Sequence, residues 1–381
     1  MTSARRWEVD ALRGLMLVLM TLTHLPTRLT SPLGQPFGFV SAAEGFVLLS
    51  GFMAGLVYGR TARAKGLEAM RRAFARRALL VYGCHAATLL FLFTVIALIG
   101  IRVDQPAVKN LMSFYLQHPV DGLLGGLALI YQPPLLDILP MYVLFMLASP
   151  WAFYLALRFG WVPVMAGSIA LWLLAQFGLA EWLYHLAQSR VPLPVPYAET
   201  GAFNAFAWQL LWVLGLWMGA SRNDPAAPPF VFPTGAVAVA LLVGLVGLLW
   251  RHWVGQAPFG ADVGRNLLFD KWQLAPLRLL NLLALMLLVI RFGPTLAHRL
   301  PRIRALETLG AASLPVFCAH LVVVLLVLAF FGAEFRRPWI FDAPLLAGCL
   351  LSLYATGCLT LWWERRSEPA APPPDSLRGA A

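Results

Sequence analysis

Residues 309–331 read LGAASLPVFCAHLVVVLLVLAFF, and this stretch decides the class of fold. It contains no Asp, Glu, Lys or Arg, and His320 is its one imidazole. About 20 apolar residues in a helix cross the roughly 30 Å hydrocarbon core of a bilayer. Similar apolar runs recur along the whole chain. The sequence therefore predicts a membrane protein built from transmembrane helices.

The composition of the 381-residue chain points to the same class and excludes others. Charged residues make up 12% and hydrophobic residues 60%, whereas soluble domains contain roughly 25% charged residues. The mean hydropathy is +0.72. A transmembrane β-barrel would show short alternating segments instead of continuous apolar runs. A nucleic-acid-binding protein would share the net charge of +11 but not this hydropathy, so no nucleic acid partner is expected.

Hydropathy over windows of about 19 residues predicts an all-α, polytopic integral membrane bundle of about ten transmembrane helices. The predicted spans are 9–25, 38–58, 77–100, 132–157, 161–179, 203–219, 234–250, 273–290, 309–331 and 340–362. They form one membrane domain over residues 1–363. The polar, Pro- and Ala-rich segment 364–381 is expected to be a disordered cytoplasmic tail.

The basic residues of the loops orient this bundle. The ends on one side carry 18 Lys and Arg residues, many of them between Arg60 and Arg77, and the opposite ends carry nine. Because cytoplasmic loops carry the excess of Lys and Arg, we expect a bacterial inner-membrane protein with both termini in the cytoplasm. The basic run is also expected to contact anionic membrane lipid.

The cysteines do not predict a metal site or a disulfide framework. All four lie inside predicted spans and lack the spacing of metal ligands. A disulfide framework needs exposed pairs in an oxidising compartment. We expect small apolar residues in helix packing and no metal.

Ionisable side chains within the spans are few, and each costs about 2.5–3.5 kcal/mol to insert, so they usually face a cavity or a partner. The helical rise places His24 roughly 16 Å beyond Arg13, near the periplasmic face. Glu44 is expected roughly 9 Å below the same face. The other polar side chains are assigned to the outer side (Asp137, Asn204, Gln209, Lys271), to the midplane (Arg278, His320) and to the cytoplasmic side (Asp10).

A histidine and two carboxylates in one layer suit general base catalysis, and cations leading back to the cytoplasm suit an anionic donor. Each feature also has a structural interpretation. His24 would then end its helix with a hydrogen bond to a carbonyl, and Asp10 with Arg13 would form a snorkelling pair. A transporter could use the same buried groups as a proton relay and anion pathway. Many transporters show internal repeats, and none is visible here.

Two motifs resemble those of a known family. Asp10-Ala-Leu-Arg13-Gly14, followed by His24 on the same helix, resembles membrane acyltransferases that modify cell-surface carbohydrates. The stretch GFVSAAEGFVLLSG at 38–51 resembles the second-helix signature of the OpgC type, the succinyltransferases of osmoregulated periplasmic glucans. Further matching stretches are DILPMY at 137–142, FN at 203–204, AWQ at 207–209, Lys271 with PLR at 276–278, LG at 309–310, SL at 313–314 and FCAH at 317–320.

The resemblance implies an inner-membrane O-acyltransferase that moves a succinyl group from cytoplasmic acyl-CoA to hydroxyls of a periplasmic glucan, without a tightly bound cofactor. His24 is the expected general base, and Glu44 or Asp137 is expected to orient its imidazole. An acyl-enzyme through His24 and acetyl transfer to another envelope polysaccharide remain alternatives. The residues expected to bind acyl-CoA are Asp10, Arg13, Arg76, Arg77, Arg278, Ser313 and His320. Those expected to bind the acceptor or the oxyanion are Asn204, Trp208, Gln209 and Lys271.

Overall fold

The structure, a computed structural model, describes residues 7–222, 224, 225, 227, 230–333 and 338–367. As predicted, this part of the chain is helical and contains no strand. The basic residues at 5, 6, 336, 337 and 378 lie outside the described residues. The α-helices, in chain order, are α1 (Trp7–His24), α2 (Thr30–Leu33), α3 (Ala42–Phe91), α4 (Ala97–Arg102), α5 (Pro106–Leu111), α6 (Ser113–Gln117), α7 (Pro119–Leu127), α8 (Ile138–Phe159), α9 (Trp161–Gln176), α10 (Leu179–Gln188), α11 (Ala205–Ser221), α12 (Thr234–Val254), α13 (Val263–Asn266), α14 (Pro276–Arg299), α15 (Arg304–Ala311), α16 (Ser313–Phe331) and α17 (Trp339–Ser367).

The predicted spans coincide with helices in the predicted order, but several ends differ. The fourth predicted span begins at 132, whereas α8 begins at Ile138. The predicted span 309–331 is two helices, because Ala312 (φ −99°, ψ 37°) leaves the helical conformation between α15 and α16. Helix α17 continues to Ser367, so the first four residues of the predicted tail are helical. The rest of that tail, 368–381, lies outside the described residues.

Length and composition support a membrane protein. In the described part of the chain, six helical stretches are long and apolar enough to cross a membrane. Helices α9 and α10, bent by 78° relative to each other, would make a seventh if they form one broken span. Helix α11 has 17 residues, and α1 carries Glu8, Asp10 and Arg13 within its 18 residues. The ten-span topology and the cytoplasmic termini stay predictions.

Most of the predicted second and third spans lies in α3, which bends sharply at Gly66, and the third span continues into α4. A straight helix of its 50 residues would be about 75 Å long. Gly66 has φ 82° and ψ 171°, a conformation that glycine adopts without a Cβ clash. The Tyr58 and Phe74 rings, on opposite sides of this break, lie 4.1 Å apart between centroids. The two arms of α3 therefore fold back on each other and enclose space between them.

Glycines let α3 and α11 cross closely. Gly51 and Gly55 on α3 form a GxxxG pair, as do Gly215 and Gly219 on α11. A Cβ at any of these four positions would overlap the backbone of the facing helix. In membranes, where lipid removes the hydrophobic drive for helix association, small residues allow backbones to approach and gain packing energy. This crossing fixes the start of α3, which carries Glu44.

Candidate active site

The imidazoles of His24 and His320 form the centre of the site. His24 ends α1 and His320 lies on α16, and the helices bring His24 Nδ1 to 3.0 Å from His320 Nε2. Their rings stack with centroids 5.2 Å apart. His320 is fully buried, whereas His24 is partly exposed. Because Nδ1 of His24 is engaged by His320, its Nε2 is the nitrogen left to face a substrate.

This pairing differs from the prediction that Glu44 or Asp137 orients His24. Among the described residues, no hydrogen bond or ion pair joins either carboxylate to His24. His320, predicted to bind the donor and assigned to the midplane, lies beside His24. Depth counted along single helices does not predict such contacts, because they depend on how the helices tilt and rotate.

Glu44 forms a buried ion pair with Arg278. Glu44 lies in the first turn of α3, and its Oε1 accepts a hydrogen bond from Arg278 Nε on α14. Its Oε2 accepts from the backbone nitrogen of Ser41 at 3.1 Å and from the Ser41 hydroxyl, which closes a capping box. The carboxylate and guanidinium are at most 1% exposed. Arg278 was predicted near the midplane, but α14 begins only at Pro276, so its side chain reaches the same level as Glu44.

Lys271 lies within electrostatic range of both the ion pair and His24. It lies in the loop before α14, and it interacts electrostatically with His24, Glu44 and Asp137. Burial lowers the pKa of the Lys271 ammonium, while Glu44 opposes this shift. Asp137 is 4% exposed and accepts a hydrogen bond from the Ala202 backbone nitrogen at 3.4 Å. The cluster of Glu44, Arg278, Lys271 and Asp137 thus holds two cations and two carboxylates.

Aromatic rings form the wall beside Lys271. Its Nζ lies 4.6 Å from the Trp272 ring centroid and 5.5 Å from that of Phe203, within cation–π range. Trp208, fully buried, donates from Nε1 to the Trp272 carbonyl at 3.1 Å. Asn204 caps α11 by accepting from the Phe206 nitrogen at 3.0 Å. Asn204 and Trp208 therefore hold the Lys271 loop in place.

A cavity of about 200 Å³ lies along α3. One face of α3 contributes Phe46, Ser50, Met53, Ala54, Val57 and Tyr58, which spans roughly 18 Å of helix. Arg13, Arg77 and Ser313 line it as well, and Arg13 donates a hydrogen bond to the Ser313 hydroxyl. We call this space the donor cavity, since three of the predicted donor-binding residues meet there.

Several predicted residues lie elsewhere. Gln209 hydrogen-bonds Ser168 on α9, donating from Nε2 to its carbonyl at 2.8 Å and accepting from its hydroxyl at 2.7 Å. Arg76 is exposed, one position away from Arg77. Asp10 is buried beside Arg13, with Oδ1 3.9 Å from Arg13 Nη1. Within the described chain, neither Arg76 nor Asp10 lines the donor cavity.

The aromatic lining of the donor cavity was not predicted from the sequence. Phe46, Tyr58, Tyr142 and Phe317 all face it. Phe46, Ser50, Ala54 and Tyr58 recur every four residues on one face of α3. A four-residue period that includes small and hydroxylated residues is unusual on an apolar span. It could have indicated that this face of the helix borders a cavity.

Comparison with protein families identifies the chain. The family model for the OpgC protein matches residues 5–365, nearly the whole sequence. The chain belongs to the OpgC family. Comparisons with curated proteins and with solved structures gave no match. Membership of the OpgC family confirms the resemblance drawn from the motifs and indicates an acyltransferase-type membrane enzyme.

Proposed function

We propose that this protein is an inner-membrane O-acyltransferase that moves a succinyl group from cytoplasmic acyl-CoA to a hydroxyl of a periplasmic glucan. The observation that carries the proposal is the pair of His24 and His320 in contact with Phe317, which lines a cavity together with Arg13 and Arg77. A base and an anion-binding channel are what such a transfer needs. Family membership supports the reaction class.

The histidine pair supports general base catalysis. If the proton between the rings lies on His24 Nδ1, then His24 Nε2 has a free lone pair for the acceptor hydroxyl. His320 Nε2 accepts the hydrogen bond from His24 Nδ1–H and so fixes the tautomer of His24. It also shares the positive charge when His24 becomes an imidazolium. It thus takes the part that a carboxylate has in a Ser-His-Asp triad. A positioned base of this kind contributes about 10²–10⁴-fold to the rate.

The reaction then proceeds in two halves. His24 Nε2 takes the hydroxyl proton while the sugar oxygen forms a bond to the thioester carbonyl carbon, giving a tetrahedral oxyanion. The carbon–sulfur bond breaks next, and the leaving thiolate takes the proton from His24. The products are the sugar ester and free CoA, and the imidazole returns to its neutral form.

The donor cavity supports binding of acyl-CoA from the cytoplasmic side. Arg13 and Arg77 supply charge for the phosphates of CoA, and Ser313 holds the Arg13 guanidinium. The cavity is narrow for its length, which suits the linear pantetheine arm. Arg76, on the exposed face of α3, would contribute only to the surface charge that attracts the donor.

The buried cations Arg278 and Lys271 support transfer of a succinyl group over transfer of an acetyl group. Arg278 is 1% exposed, and its Nη2 has no hydrogen bond partner among the described residues. A buried donor without an acceptor is costly, and a second carboxylate carried by the acyl group would satisfy it. Such a carboxylate would also favour the charged form of Lys271.

Donor binding is tested first by thermal unfolding of the detergent-purified, full-length protein. At about 100 times its dissociation constant, a ligand adds roughly 2.7 kcal/mol of stability, so free CoA and succinyl-CoA should raise the melting temperature. Arg13→Ala should lose the shift, and Arg60→Ala is its control on the surface basic run. Absence of a shift with CoA, succinyl-CoA and acetyl-CoA would contradict the proposal and favour a transporter.

The chemical step is tested with His24→Ala. We expect this variant to keep the stabilisation by CoA and to lose ester formation on glucan, measured by mass spectrometry of the glucan and by release of free CoA. Transfer at nearly the normal rate would exclude His24 as the base. A covalent acyl group trapped on His24 of the unaltered protein would replace the direct mechanism with an acyl-enzyme.

A further inference from the structure

Two phenylalanines of the donor cavity lining pack against each other. The rings of Phe46 on α3 and Phe317 on α16 stack with centroids 5.8 Å apart and an interplanar angle of 15°. Both line the donor cavity, and they are 5% and 2% exposed. The stacked pair therefore forms part of the cavity wall and joins two of the helices that enclose it.

One ring of this pair also contacts the histidines. The Phe317 ring contacts the His320 ring, with centroids 5.5 Å apart, and His320 is hydrogen-bonded to His24. Neither histidine is among the described residues that line the donor cavity. An acyl group that moves from the cavity to His24 has to pass beside Phe317.

Tyr142 holds the pair in position. Its hydroxyl donates to the Phe46 carbonyl at 3.2 Å, and its ring lies 6.0 Å from the Phe46 ring. Tyr142 also lines the donor cavity. Three aromatic side chains from α3, α8 and α16 thus meet at one level of the bundle.

We propose that Phe46 and Phe317 form a constriction that sets the size of the acyl group able to reach His24. The proposal rests on the proposed function, because it assumes that an acyl group travels along the donor cavity. The proposed function has the donor enter from the cytoplasm and the acceptor from the periplasm, and two such openings need a seal between them. Stacked rings provide one, since they exclude water and ions and yield to a short acyl group by rotating.

The constriction predicts a change in acyl selectivity when a ring is removed. Each methylene in an apolar pocket changes selectivity by about 10–200-fold. We therefore expect Phe317→Ala to raise the rate with hexanoyl-CoA relative to acetyl-CoA by about tenfold or more. Release of free CoA by the full-length protein in nanodiscs, with a glucan as acceptor, measures this ratio. Phe317→Trp should lower it.

Phe145→Ala is the matched control. Phe145 is 5% exposed and packs against Trp212, with ring centroids 5.7 Å apart, but it is not part of the donor cavity lining in the described chain. Its loss should destabilise the bundle similarly and leave the acyl ratio unchanged. If Phe317→Ala does not fold, Phe317→Leu and Phe317→Trp, which keep most of the volume, decide the question.

A second measurement does not depend on catalysis. In liposomes with an internal pH dye, Phe46→Ala/Phe317→Ala should increase proton leak, whereas Phe145→Ala should not. Unchanged leak together with an unchanged acyl ratio would overturn the constriction while the transferase stands. If the unaltered protein releases CoA from no acyl-CoA, the proposed function is overturned. The proton leak of the variants would still test whether the two rings form a seal.

Discussion

The outer polar site and the donor cavity are built in opposite ways. In the outer site, formed by His24, Glu44, Lys271, Arg278 and His320, one hydrogen bond joins the two histidines, one ion pair joins Glu44 to Arg278, and Lys271 interacts electrostatically with His24 and with this ion pair. In the donor cavity the lining is largely apolar, and Arg13 and Arg77 supply its charge within the described chain.

This difference matches the two tasks of the proposed function, which are chemistry at the outer site and passage of the donor through the cavity. Groups that take part in chemistry have to keep their positions while charge moves, so they need fixed partners. A passage for a long donor needs apolar walls that can adjust, with charge where the phosphates bind. The comparison can be tested by substitutions that should act strongly in one region and weakly in the other.

The largest effect is expected for Glu44→Gln. Removing one partner of a buried ion pair leaves the other charge uncompensated and costs about 3–5 kcal/mol, here at Arg278. Denaturation of the detergent-purified protein measures this loss. Glu44→Gln/Arg278→Gln should recover part of it.

Glu68→Gln is the control for this stability loss. Glu68 pairs with Arg71 and Arg72, but its side chain is 66% exposed, so its substitution should change stability by less than about 0.5 kcal/mol. A loss for Glu44→Gln no larger than that of Glu68→Gln would show that the outer site is not held by its ion pair.

The next effect concerns the partner of the base. His320→Leu leaves His24 Nδ1 without an acceptor, and we expect transfer to fall by about 10²-fold while CoA still binds. In His320→Gln the amide oxygen can accept from His24 Nδ1, so much of the activity should return. If His320→Leu and His320→Gln lose the same amount of activity, His320 packs against His24 without orienting it.

A smaller effect is expected at the donor cavity. Arg77 lines it and Arg76 does not, although both belong to the same basic run. We expect Arg77→Ala to weaken CoA binding by about tenfold, or 1.4 kcal/mol, and Arg76→Ala to leave it nearly unchanged. Titration of each variant with CoA, followed by thermal stability, distinguishes the two. Equal losses of CoA affinity in Arg76→Ala and Arg77→Ala would mean that the CoA phosphates bind to the exposed basic run instead of the donor cavity.

The smallest effect is expected for Gln209→Ala. Gln209 fastens α9 to α11 through Ser168 and has no contact with the outer site among the described residues. The rate of transfer should change by less than about twofold, or 0.5 kcal/mol. A loss comparable to that of His320→Leu would extend the outer site toward α9.

The sequence could predict which residues matter more readily than it could predict their partners. An ionisable group in an apolar span is visible from hydropathy, so His24, Glu44, Arg278 and His320 were all singled out. Their pairing was not visible: Glu44 or Asp137 was expected to orient His24, and the structure pairs Glu44 with Arg278 and His24 with His320. Rise per residue estimates depth, whereas partners depend on how the helices rotate and tilt.

The break in α3 and the glycine crossing show the same limit. Hydropathy predicts two spans around the basic run, but only the structure brings Tyr58 and Phe74 together across Gly66. The GxxxG pairs of α3 and α11 are readable in the sequence, yet their facing arrangement depends on both helices at once.

The sequence by itself determined the membrane class, the helical architecture, the family and most of the polar residues of the site. These follow from local composition and from ordered motifs, and the cost of placing charge in lipid makes each exception visible. Only the tertiary structure decided that His24 pairs with His320, that Glu44 pairs with Arg278, and that Phe46 stacks on Phe317 in the wall of the donor cavity. Such contacts join residues more than 200 positions apart, and they are set by packing of whole helices, which no local pattern encodes.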